Sequence, residues 1–88
     1  MVSDRIATAT LEKVMSGRGT VTFRDFEALL TALGFTMRNQ RGSHRIYIHP
    51  AIDRPFPIQP DGKDAKRYQI RELRDMIRRY GIELGPGG

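Results

Sequence analysis

The chain has 88 residues, 39% of them hydrophobic and 28% charged, with no cysteine and a formal net charge of +5. This length provides for a single domain with one modest core, and the balance is that of a soluble globule, not of a disordered chain. The lack of cysteine rules out disulfides, thiolate catalysis, iron–sulfur clusters and cysteine-based zinc sites. No apolar run approaches the ~20 residues that cross a bilayer, and Met1-Val2-Ser3-Asp4-Arg5 is not a signal peptide, so a cytoplasmic protein is expected.

The periodicity predicts a first helix over residues 3–16. Ser3 stands at its N-cap, Ala7, Leu11, Val14 and Met15 share one face, and Gly17 follows as the residue that ends it. The second helix starts at Thr22, an N-cap with Asp25 in the capping-box position. Val21 and Phe26 form a hydrophobic staple across that start. Phe23, Phe26, Leu30 and Leu33 make its apolar stripe. Gly34 and Phe35 fit the end of a Schellman motif. The period then shortens to two. Residues 36–40 read as a strand, Arg41-Gly42-Ser43 as a turn, and residues 45–49 as a second strand stopped by Pro50. Residues 54–59 are apolar, but two prolines confine them to a sheet edge. Pro60-Asp61-Gly62-Lys63 reads as a turn. A last helix is predicted over residues 67–80, with Ile70, Leu73, Ile77 and Tyr80 buried and Gly81 as its C′ residue. Residues 85–88 are expected to be disordered. The fold class is therefore α+β, ordered α-α-β-β-β-α.

The charge is uneven. Residues 1–35 are neutral, whereas residues 36–80 hold eleven basic and five acidic side chains. Twelve of the fifteen cations are arginine, whose planar fork suits phosphate. Arg67, Arg71, Arg74 and Arg78 recur at helical spacing. They fit a phosphate track, an acidic protein partner or a solvated face equally well. Of the two histidines, His44 follows Gly42 and Ser43 directly after a tight turn, between Arg41 and Arg45. It fits a general base acting on an RNA 2′-hydroxyl, and it also fits a strand-end histidine with no chemistry. His49 falls on the opposite strand face, which argues against a two-histidine pair and for a structural role. Asp61 and Asp64 lack the ligand alternation of a calcium loop, and the histidine spacing fits no zinc helix, so no metal or other cofactor is expected. Asn39, Gln40 and Tyr47 are candidate RNA contacts, Tyr47 either stacking a base or sitting half-buried.

Taken together, Leu33-Gly34-Phe35, Arg38 and the run Gly42-Ser43-His44-Arg45-Ile46-Tyr47-Ile48-His49-Pro50 resemble the HicA-type toxins of bacterial toxin–antitoxin systems. Ile58-Gln59-Pro60-Asp61-Gly62-Lys63, Tyr68-Gln69-Ile70-Arg71 and Tyr80-Gly81 are similar to one branch of that family. The resemblance spans residues 22–84 and leaves residues 3–16 as an additional N-terminal helix. It implies a double-stranded-RNA-binding-like domain that cleaves mRNA without a metal and is neutralised by a HicB-type antitoxin covering the active surface. It places the essential histidine at His44. Two departures stand out. Arg45 occupies a position where the family often has a second histidine, and Arg67 one where this branch often has proline.

The expectation is thus an endoribonuclease with His44 as its catalytic group. Arg38, Arg41, Gly42, Ser43, Arg45 and Tyr47 surround the RNA, and Lys63, Lys66 and Arg71 extend the track. The alternatives are a non-catalytic RNA-binding module of the same fold and a subunit that binds only an acidic partner.

Overall fold

The computed structural model describes residues 4–85; the Ser3 cap and the tail from residue 86 lie outside them. The elements are α1 (Asp4–Ser16), α2 (Phe23–Ala32), β1 (Thr36–Arg41), β2 (His44–His49), β3 (Ile52–Ile58), β4 (Pro60–Asp61), β5 (Asp64–Ala65) and α3 (Arg67–Tyr80). The order α-α-β-β-β-α is the one expected, with a small extra hairpin where only a turn was read. β1, β2 and β3 form an antiparallel sheet with β2 in the centre, so the proline-bearing β3 is an edge strand.

Both predicted ends of α2 are present. The Asp25 amide donates to Thr22 Oγ1 at 3.1 Å, and Val21 and Phe26 are buried on either side of that cap. At the other end the Phe35 amide donates to the Leu30 carbonyl and the Gly34 amide to that of Thr31, the paired bonds of a Schellman motif. Gly34 has φ +100°, open to glycine but strained for other residues. His49 closes the same corner. Its Nδ1 accepts from the Ala51 amide at 3.0 Å, so its Nε2–H donates to the Leu33 carbonyl at 3.0 Å. The ring also meets Phe35 edge-on at 4.9 Å between centroids. His49 is a structural residue, joining the end of β2 to the end of α2.

One face of the sheet carries the core. Phe26 and Leu30 of α2, Tyr47, Phe56 and Ile58 of the sheet, and Leu73 and Met76 of α3 pack in one cluster with Phe35. Phe26 and Phe35 both lie against Phe56, at 6.3 and 6.1 Å. Helix α1 packs mainly on α2 and to a lesser extent on α3, burying Ala7, Thr10 and Val14. The buried centre of α3 differs from the expected stripe. It runs through Gln69, Leu73 and Met76, with Ile70, Ile77 and Tyr80 only partly covered. The cause is Gln69. Its Oε1 accepts from the Gln59 amide and its Nε2 donates to the Pro57 carbonyl, so its side chain pairs with the free edge of β3 as a strand would.

Replacing Gly34 with Ala forces a Cβ into positive φ and to 3.1 Å from His49 Nε2. A stability loss of roughly 1–3 kcal/mol is expected in urea unfolding, with the folded topology retained.

Candidate functional site: the hairpin tip and the open face of the sheet

β1 and β2 are joined by a two-residue turn, Gly42-Ser43, closed by the pair Arg41 and His44. Gly42 has φ +56° and, among the described residues, no non-glycine residue has positive φ, the pattern of a type II′ hairpin with glycine first. The turn therefore presents His44 as the first residue of β2, exposed to solvent.

Strand alternation divides the side chains of β2 between two faces. Arg45, Tyr47 and His49 point to the core side. His44, Ile46 and Ile48 point to the other side, which no helix covers. Directly paired residues share a face, so Arg41 accompanies His44, Asn39 and Pro57 accompany Ile46, and Thr36 accompanies Ile48. A register shift between Met37 and Asn39 places Arg38 in a bulge. The extra residue reverses the alternation of β1 between its two ends. The open face thus combines an imidazole, a guanidinium and an amide near the tip with a partly exposed apolar strip behind them.

The core side holds a polar cluster centred on Glu27 of α2. Its carboxylate pairs with the Arg45 guanidinium through Oε1 and accepts from the Tyr47 hydroxyl through Oε2 at 2.6 Å. Arg45 also lies 5.4 Å above the Phe23 ring. The hydrogen bond to Glu27 holds the Arg45 proton more tightly than usual, against the opposing effect of burial. Burial first, and then the bond to Glu27, push the Tyr47 phenol above its ordinary range.

These contacts correct two expectations. Tyr47 is 5% exposed, so it has no open ring face on which a base could stack. Arg45 faces away from His44 with its charge committed to Glu27, so it is not a free phosphate ligand beside the histidine. The remaining candidates separate into two groups. Arg41, Gly42, Ser43 and His44 are contiguous at the tip, with Arg38 exposed further along β1. Lys63, Lys66 and Arg71 follow the path from the small hairpin into α3. Lys63 sits in the β4–β5 turn and its carbonyl accepts from the Phe23 amide, while Lys66 occupies the N-cap of α3. Glu27 escaped the sequence reading because its partners lie 18 and 20 residues away. Its spacing on α2, one position beyond Phe26, marks only a helix flank. Among the described residues no group of three His, Asp or Glu side chains is gathered to hold a metal ion, and no helix is long and apolar enough to cross a membrane.

Tyr47 gives a test of the cluster. Because its proton is held more firmly in the folded state, its contribution is complete below the unfolded phenol value near 10 and is lost as the pH rises through the folded value. Tyr47→Phe is expected to cost about 1.5–3 kcal/mol at neutral pH, the range for a hydrogen bond to a charged group. In urea titrations at stepped pH, the gap to wild type is expected to narrow only above pH ~10.

No curated protein and no solved structure matches the chain. Residues 23–82 match the family described as "HicA toxin of bacterial toxin-antitoxin". That match begins with α2 and ends just after α3, covering the whole sheet, the hairpin tip and the Glu27 cluster, and omitting α1. On that match the chain belongs to the HicA toxin family of bacterial toxin–antitoxin systems.

Proposed function

We propose that this chain is the RNA-cleaving toxin of its system, a metal-independent endoribonuclease acting on mRNA through His44 and neutralised by a HicB-type antitoxin. The observation that carries this reading is the position of His44. It is the exposed imidazole of the chain, set at the rim of an uncovered sheet face with Arg41 directly across the ladder. His49, the second histidine, has both ring nitrogens engaged in the fold.

The chemistry follows from RNA itself. His44 takes the proton of a 2′-hydroxyl as general base, and the 2′-oxygen attacks the adjacent phosphorus. The bond to the 5′-oxygen breaks, and that oxygen leaves with a proton returned by the imidazolium or by water. The products are a 2′,3′-cyclic phosphate and a 5′-hydroxyl. Arg41, with Arg38 further along β1, supplies the positive charge that stabilises the crowded phosphate oxygens. Backbone N–H groups at Gly42 and Ser43 are available at the same tip, where the missing Cβ of Gly42 lets a phosphate approach closely. The partly exposed strip of Ile46, Ile48 and Pro57 behind this charged tip offers the apolar area that a protein inhibitor needs. This supports an antitoxin that covers the open face and the histidine together.

The test is incubation of EDTA-treated protein with end-labelled mRNA, wild type beside His44→Ala. Cleavage is expected from wild type, with a loss of roughly 10²–10⁴-fold in the variant. Unchanged circular dichroism and retained RNA binding would show that the variant is folded. A 2′-deoxy substitution at the cleaved position is expected to block the reaction. Salt-sensitive RNA binding without cleavage by either protein would establish a binding module instead.

A further inference from the structure

Helix α1 and its following turn lie outside the residues that define the family, yet they build one wall of a basic hollow. The opposite wall is α3. Lys13, Gly17 and Gly19 face Arg67, Arg71 and Arg74 across a space of about 120 Å³, with Val21 and Ile70 as its apolar lining. That space far exceeds the ~10–15 Å³ required by one water and suits a compact polyatomic group. Four cations converge here and no carboxylate lines the hollow. Among the described residues none of the four is in an ion pair. Asp61 and Asp64 line the adjoining hollow, which is continuous with this one through Gly19, Val21, Arg67 and Ile70.

Two of the four cations touch the turn that forms the wall. Lys13 Nζ donates to the Thr20 carbonyl at 3.4 Å, across the turn that forms the wall. The Arg74 guanidinium lies over Gly17, within van der Waals reach of that turn. Gly17 has φ +71°, so glycine serves the turn that ends α1. The Arg74 Nε–H is buried and has no hydrogen-bond partner. A buried guanidinium donor without an acceptor is costly, so Arg74 gains from any turn of its side chain that gives Nε an oxygen, as an anion drawn between the walls would.

We propose that this hollow is a binding site for a phosphate group, carried by the RNA backbone at a distance from the scissile bond. Phosphate suits it because three planar forks from one helix face can each offer paired donors to tetrahedral oxygens. A polymer suits it because Arg78 continues the line of Arg67, Arg71 and Arg74 beyond the hollow. The assignment of the carrier rests on the RNA reading above; the affinity for phosphate does not. The added helix then has a function of its own. It turns one face of α3 into a walled subsite that lengthens the RNA contact.

The experiment uses the full chain with His44→Ala, ¹⁵N-labelled, titrated with inorganic phosphate at constant ionic strength and separately with a short 5′-hydroxyl RNA. The amides of Gly17 and Gly19 and the Nε–H of Arg74 are expected to shift saturably with both. Reversing two exposed cations of the site, Lys13→Glu with Arg71→Glu, is expected to weaken phosphate binding by at least about tenfold. The charge-matched reversal of Arg5 and Arg24, which lie outside the hollow, is expected to change it by less than about twofold. Equal weakening by both pairs would reduce the effect to net charge and overturn the site. Shifts with phosphate but not with RNA, while RNA moves residues 41–44, would reassign the hollow to a free phosphate compound. No shift with either ligand would overturn the phosphate site, and RNA-induced shifts at 41–44 in that case would leave the ribonuclease reading standing. An acidic peptide that binds the hollow more tightly than RNA would overturn the proposal in favour of a protein partner.

Discussion

The orientation of the central strand decides what this molecule can do. A strand has two faces, and slipping β2 by one residue would bury His44 and expose Tyr47. Glu27 prevents that slip. It binds the second and fourth residues of β2, so the alternation is fixed by a polar contact as well as by apolar burial. His49 fixes the sixth residue from the other end, through its bond to the Leu33 carbonyl. With Arg45, Tyr47 and His49 held inward, His44 has only the outer face left. The exposed histidine is thus a consequence of three inward contacts, none of which it makes itself.

Much of this was legible in the sequence because it is local. The Thr22 cap, the Gly34-Phe35 stop and the Gly42-Ser43 turn depend on residues within a few positions of one another. Each element end they predict is present. The opposite faces of His44 and His49 follow from strand parity alone, and the edge position of β3 from its prolines. What was not legible is long-range and polar. Arg45 and Tyr47 looked like free recognition groups because Glu27 lies in another element. Gln69 stands outside the predicted apolar stripe of α3, and nothing adjacent to it shows that the edge of β3 needs an amide partner. The bulge at Arg38 has no glycine or proline to mark it. The turn at Pro60–Lys63 was read correctly as a reversal. Its growth into a hairpin depends on residues 21–23, whose backbone bonds with Lys63 and Ala65 extend the ladder.

Those bonds tie together parts that the chain order keeps separate. The segment entering α2 is clamped by the β4–β5 hairpin, which itself links the end of β3 to the start of α3. Ile58, the last residue of β3, pairs with Arg45, next to His44. The histidine, the small hairpin and the first turns of α3 therefore gather at one end of the fold, although up to 30 residues of sequence separate them. A displacement of the hairpin would reach both the Phe23 ring beneath Arg45 and Lys66, the N-cap of α3.

The distribution of charge gains meaning from this arrangement. The excess of positive charge in residues 36–80 is not a uniform coat. Arg45 is neutralised by Glu27 and serves the fold. Arg41 and Arg38 stand on β1, Arg41 directly across from the histidine. Arg67, Arg71 and Arg74 face a wall built by the N-terminal helix and the turn after it, so the electrically neutral stretch 1–35 organises part of the charge of the rest. Helix α1 contributes to stability through Ala7, Thr10 and Val14, which are nearly or fully buried. That burial alone needs no lysine at residue 13, whereas Gly17 beneath Arg74 is already needed to end the helix at positive φ. The lysine makes sense when the outer edge of the helix shapes a cationic surface, while its inner edge packs.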